Sequence, residues 1–249
     1  MTTGFLAADE ADAAVASGER KGAWEAGATM RSVVQKTSRR CGRCHLPPRW
    51  CVCAAHRDLR CPLALDVLIH HRERHRPSST GNLIHRLFPE SRQHLWRRER
   101  RLTAADVQVP ARELWILHPH GEPAPAGRAP GTVQLLLLDG SWSETSAMAQ
   151  EVGSWGRLVS LPMAGDSRYW LRAQQDGGRF STVEALAFAL EVFGLPEVRA
   201  ELQRQFELHV YASLRARGRK AAAEEFLAGS PLPAAFPELM AQLNLRRPG

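Results

Sequence analysis

Four cysteines, Cys41, Cys44, Cys51 and Cys53, fall within thirteen residues in the spacing C-x2-C-x6-C-x-C. Thiolates so spaced can converge on one tetrahedral cation, and in a reducing compartment such a set is held by metal rather than by disulfides. Structural zinc is the reading that follows. An iron–sulfur cluster also takes four Cys and is the rival, weakened by the short C-x-C arm and the lack of another redox motif. His45 and His56 could substitute as ligands, but beside a complete Cys set they read as surface residues or as neighbours of the metal. Four protein ligands leave no open coordination position, so the site shapes the chain and does no catalysis. Cys61 lies outside the pattern and reads as a small buried apolar residue.

Three further segments combine charged, hydroxyl and glycine residues. The first is HHRERHRPSSTGNL, His70 to Leu83. The second is LLLLDGSW, Leu135 to Trp142, in which Asp139 ends an apolar run. The third is SLPMAGDSRYWLR, Ser160 to Arg172, continuing to FSTVEALA, Phe180 to Ala187. Each has a plain structural reading: Asp139 as a helix cap, Trp142 as core, Ser181 with Glu184 as a capping box.

The elements that must position these segments follow from periodicity. Leu63 to His70, Leu114 to His118, Val133 to Leu138 and Arg157 to Leu161 read as strands, and several are apolar on both faces, as in a parallel sheet covered by helices. Ser143 precedes a helical stretch, Glu144 to Val152. The Ser181–Glu184 box opens another over Ala185 to Phe193, which Gly194 and Pro196 end. Strand–helix alternation predicts an α/β domain over 61–196, with its ligand loops at the strand ends. Before it come a loosely ordered extension (1–36) and a four-Cys module (37–60). A helical region (197–249) follows, with an exposed basic turn at Arg215 to Lys220. PAPAGRAP, Pro123 to Pro130, reads as a flexible loop.

The 249 residues are 44% hydrophobic and 24% charged, which excludes a disordered or fibrous chain. No apolar run approaches a membrane span. The N-terminus, with Asp9, Glu10 and Asp12, does not read as a secretory signal, and the expected location is cytoplasmic. The net charge of +7 is uneven. Lys36 to Arg101 holds 16 basic residues against 5 acidic, and 7 of the 10 histidines. A block this asymmetric points to a polyanion, nucleic acid first.

Taken in order, CxRCxxxxxxCxC, then H-x-x-E with S-x-T-G, then D-x-[ST]-W, then SRYxLR and STxEA, the motifs between Cys41 and Phe193 resemble the DTW-domain family. These are tRNA-uridine aminocarboxypropyltransferases, related to ribosomal RNA aminocarboxypropyltransferases and to SPOUT-class RNA methyltransferases. The tryptophan motif here has Ser141 in place of the usual Thr, which keeps the hydroxyl. In Ser78-Ser79-Thr80-Gly81-Asn82, many relatives have Asn before the Thr and Arg after the Gly, so any role of that Arg is either absent here or met by Arg86. The resemblance implies a SPOUT-like, trefoil-knotted core and S-adenosylmethionine as cosubstrate. It also implies transfer of the 3-amino-3-carboxypropyl group to N3 of a uridine in tRNA. Thr80, Leu138, Leu161, Tyr169 and Thr182 then stand where relatives contact the cosubstrate, with Gly81, Ser141, Trp142, Ser181 and Glu184 beside them. Uridine N3 carries a proton, so a carboxylate should accept it: Asp139 first, Glu73 second. Arg72, Arg74 and Arg86 are assigned to RNA, and Arg168 and Arg172 to the amino-acid carboxylate or an RNA phosphate. An RNA methyltransferase and a non-enzymatic zinc-containing RNA-binding factor are the alternatives. Both a monomer and a dimer are compatible with the sequence.

Overall fold

A computed structural model describes residues 39–97, 99, 101–172 and 179–245; the 1–36 extension lies outside them. Strands β1 (Ala64–His70), β2 (Arg92–Trp96), β3 (Glu113–Pro123), β4 (Val133–Asp139) and β5 (Arg157–Ser160) form one sheet. Its order is β2-β1-β4-β3-β5 and every pairing is parallel, which accounts for strands that are apolar on both faces. The helices are α1 (Thr80–Leu87), α2 (Ala104–Val107), α3 (Trp142–Val152), α4 (Thr182–Val192), α5 (Pro196–Ala216), α6 (Lys220–Leu227), α7 (Leu232–Ala235) and α8 (Pro237–Asn244). Among the described residues no helix is long and apolar enough to cross a membrane.

Alternation along the strands divides the core in two. Leu65, Val67, Leu135, Leu137 and Trp115 pack against α1, α4 and α5, in the same cluster as Cys44, Leu46 and Val52 of the cysteine segment. Leu68, Leu136, Ile116 and Leu114 face Met148 and Val152 of α3 and Val107 of α2. The C-terminal helices join the larger core through Phe206, Tyr211, Phe226 and Leu243.

Four strands lie where the periodicity places them; β2 does not announce itself. Its residues, Arg-Gln-His-Leu-Trp, lack a clean apolar alternation. Asp66 of β1 is wholly buried and stands opposite Arg92 in register. Its carboxylate takes the Arg92 guanidinium at 2.8 Å, His94 at 2.6 Å and the Gln134 amide at 2.7 Å. A buried carboxylate must be answered by donors, and β2 supplies two of them. The cap of α3 is also corrected: Ser141, not Ser143, is the N-cap, and Glu144 closes the box. The helix therefore starts at Trp142. The Ser181–Glu184 box stands as expected, and Gly194 leaves α4 at a φ of +67 before Pro196 opens α5. The basic turn at 215–220 is only partly exposed. Arg215 bonds Asn244 at 2.7 Å and Arg217 bonds the Leu171 carbonyl at 2.6 Å.

Candidate functional site

Because every strand runs the same way, β1, β4 and β5 release their following loops at one edge of the sheet, and Ile69 pairs with Asp139 there. Parallel sheets bind ligands at this edge. Asp139, 4% exposed, is the knot of the arrangement. Its Oδ1 accepts from the Gly81 amide at 3.1 Å and from Thr182 Oγ1 at 2.7 Å, and its Oδ2 accepts from Ser79 Oγ at 2.7 Å. One carboxylate thus ties the end of β4 to the first turns of α1 and α4. Gly81 is required by close approach: a Cβ there would stand 2.7 Å from Asp139 Cγ.

Around Asp139 a pocket is lined by Thr80, Leu138, Ser141, Trp142, Leu161, Tyr169, Ser181 and Thr182, so these eight residues from three distant segments do come together. Its apolar wall is completed by Leu117, Leu137, Val159 and Met163. Arg172 and Arg179 bring positive charge, and Arg179 lies 5.3 Å from the half-exposed Trp142 ring. Tyr169 gives its hydroxyl to the Ser78 carbonyl, and burial pushes its pKa up to about 12, so it stays a neutral donor.

Other expected residues lie behind the pocket. Glu184 accepts from Ser181 N and Arg168 N, both at 2.7 Å, and from Ser167 Oγ at 2.9 Å, clamping the 161–172 loop onto α4. Arg168 turns away: it bonds the Phe226 carbonyl at 2.6 Å, pairs with Glu207 at 3.3 Å and covers the Phe226 ring. Glu73 has no exposed surface and bridges Arg76 at 2.6 Å and Arg172 at 2.5 Å, so it reaches the pocket through Arg172. Arg72 is exposed near Glu144, while Arg74 and Arg86 line a separate groove beside the cysteines. Arg98 and Arg100 of the basic block lie outside the described residues.

His118, Arg179 and Ser79 were not singled out by the sequence. Ser79 was legible as the N-cap before α1. His118 sits at the end of a predicted strand, and Arg179 carries no local signal at all.

The segment before the pocket is steadied by His209 of α5, whose Nε2–H donates to the Pro77 carbonyl at 2.8 Å. Burial lowers its pKa to about 3, so it is neutral in the fold. An unfolded histidine titrates near 6.5, so below that pH the unfolded chain takes up a proton that the folded one refuses. This stability is whole above about pH 6.5 and erodes as pH falls toward 3, by about 1.4 kcal/mol per pH unit. Urea unfolding at pH 7 and pH 5 should show about 2 kcal/mol lost through this group, in addition to losses from other histidines depressed by burial, among them His45, His56, His70 and His118. His209→Asn should flatten the curve; equal slopes in the two proteins would refute the assignment.

The four Cys sulfurs all lie within 4.8 Å of one another, with Cys41–Cys53 and Cys44–Cys51 each at 3.7 Å. A tetrahedron with Zn–S bonds of about 2.3 Å has edges of about 3.8 Å, so the set fits one zinc ion. An iron–sulfur cluster would spread the thiolates over several irons and hold them farther apart. Backbone donors from Cys44 and Arg43 hold Cys41 at about 6, while burial pushes Cys44 and Cys53 up. Four thiols this close cannot all ionise without a cation between them.

No solved structure matches the chain. A family model described as the DTW domain matches residues 38–214, from the cysteine segment through most of α5. The match spans every loop that meets at Asp139, including the Asp139–Trp142 turn, and more than half of the sequence. The chain belongs to the DTW-domain family.

Proposed function

We propose that the protein modifies tRNA, transferring the 3-amino-3-carboxypropyl group of S-adenosylmethionine to N3 of a uridine. The observation that carries this reading is the pocket at the strand ends: an apolar wall, a buried carboxylate and a tethered arginine meet in a DTW-domain chain. The SPOUT-like core and its knot belong to the same proposal, supported by the all-parallel sheet with its loops gathered at one edge.

In this reading the apolar wall of Leu117, Leu138, Leu161 and Met163 takes the adenine. The Asp139 charge lies close to the sulfonium, where a fixed anion in a water-poor site is worth more than in bulk. Arg172, held by Glu73, meets the carboxylate of the amino-acid arm. Glu73 is therefore a positioning residue here, because both its oxygens are already engaged. Trp142 and Arg179 form a rim on which a uracil can stack. As N3 attacks the terminal carbon of the arm, the C–S bond breaks and sulfur keeps the electron pair, leaving methylthioadenosine. The N3 proton passes to Asp139, whose Oδ2 has a single protein donor among the described residues and so a lone pair to offer.

Purified protein with unmodified tRNA and S-adenosylmethionine, followed by mass spectrometry of nucleosides and small molecules, tests this. The expected result is an aminocarboxypropyl gain on uridine with one methylthioadenosine released per transfer. Asp139→Asn should slow it by a factor of about 100 or more. A methyl gain with S-adenosylhomocysteine would make the protein a methyltransferase. Tight tRNA binding without product would make it a binding factor.

A further inference from the structure

Away from the pocket, a groove runs between the cysteine segment and α1. Arg43, Arg74, Arg76 and Arg86 line it together with four histidines, and no carboxylate is among the lining residues. Arg76 is committed to Glu73, and Arg43 reaches the exposed Asp58 only at 3.5 Å. The Arg74 side chain has no hydrogen-bond or ion-pair partner among the described residues, whereas Arg86 is half-buried beside the cysteine segment. A second, independent sign is His209 at the groove floor. With its Nε2–H given to Pro77, its Nδ1 is a bare acceptor, buried and without a partner among the described residues.

What fills such a groove should carry negative charge for the arginines and, for the unpaired histidine on its floor, a hydrogen-bond donor. An inorganic anion brings only the first, whereas a ribose–phosphate chain brings both, its phosphates for the arginines and its 2′-hydroxyl as a donor. The groove and the pocket also share one stretch of chain: Ser78 lines the pocket and Ser79 lines the groove.

We propose that this groove holds the RNA backbone flanking the uridine that enters the pocket, with phosphates on Arg43 and Arg74. The proposal rests on the tRNA-modifying reading above and gives it a path for the substrate. It also divides the basic block by duty. Arg49 and Arg92 are consumed inside the protein, on C-terminal carbonyls and on Asp66, as Arg76 is on Glu73, while Arg43 and Arg74 face a ligand.

The test is tRNA binding to the full chain, by fluorescence anisotropy from about 50 to about 200 mM salt. The double variant Arg43→Gln/Arg74→Gln is compared with Arg57→Gln/Arg60→Gln, which removes the same charge from exposed positions outside the groove. The groove variant should bind tRNA about 10-fold more weakly, with a salt dependence shallower by about 2 in log–log slope, and bind S-adenosylmethionine within about twofold of wild type. The control pair should change tRNA affinity by less than about twofold. Wild-type affinity and slope in the groove variant would overturn the proposal, as would an equal loss in the control pair. If the wild type makes no aminocarboxypropyl product but the groove variant still loses RNA binding, the functional reading fails and the groove stands. If product forms and tRNA affinity in the groove variant is unchanged, only the groove fails.

Discussion

Gly81→Ala is expected to remove about 3 kcal/mol of stability and to lower product formation by a factor of about 100, although it adds a single methyl group. The methyl carbon would stand 2.7 Å from Asp139 Cγ and 2.8 Å from both its Cβ and Oδ2. Relief cannot come cheaply from the partner, because the Asp139 carboxylate is pinned by Ser79, Thr182 and the Gly81 amide itself. Either the carboxylate rotates and breaks these bonds, or α1 retreats and opens the pocket. Overpacking a rigid site costs about 1–3 kcal/mol, and a lost hydrogen bond to a charged group about 1.5–3 kcal/mol. Gly131→Ala is the control, since a Cβ there meets nothing within 4 Å. Urea midpoints and methylthioadenosine release for the two variants decide the matter. A Gly81→Ala protein indistinguishable from Gly131→Ala would show that the contact has no such weight.

The same cluster shows what the sequence could and could not reveal. The strands that carry the site are runs of Leu, Val and Ile buried on both faces, so their pattern is local and readable. The Ser181–Glu184 box was legible because both partners sit within one turn. Asp66 was not: its donors Arg92, His94 and Gln134 come from two other strands, and β2 exists where it does because of a pairing 26 residues away. Arg168 and Glu184 look like ligand-binding residues in one dimension. In three they are bound to Phe226 and to the 161–172 loop, because α5 and α6 fold back over it. A polar side chain's duty depends on which backbone groups lack partners nearby, and that is decided by packing of segments far apart in the chain. Family resemblance brought eight pocket residues together from their motifs, but motifs alone do not separate those facing a cavity from those holding its wall.

Removing the metal from the cysteine site should destabilise the whole domain, and the reason lies in what the segment touches. Arg49 places its guanidinium on the carbonyls of Gln242, Leu243 and Leu245, at 2.9, 3.0 and 2.7 Å. Gln205 of α5 donates to the Ala55 carbonyl at 2.8 Å, and the Leu59 amide bonds the Leu87 carbonyl at the end of α1 at 2.7 Å. Cys44, Leu46 and Val52 lie in the main core. Without a cation the four sulfurs lose the reason to stay within 4.8 Å, and His45, held at a φ of 59 between two ligands, loses what enforces that strained conformation. Purified protein should carry one zinc per chain by elemental analysis. A metal present at about 1,000 times its dissociation constant contributes about 4 kcal/mol, so a strong chelator, or Cys44→Ser, should lower Tm by about 10 °C. Because the segment braces α1 and α5, tRNA affinity should fall with it, before the domain unfolds. Stoichiometric iron and sulfide in place of zinc would overturn the single-ion site, and a chelated protein of unchanged Tm would show that packing alone holds the segment.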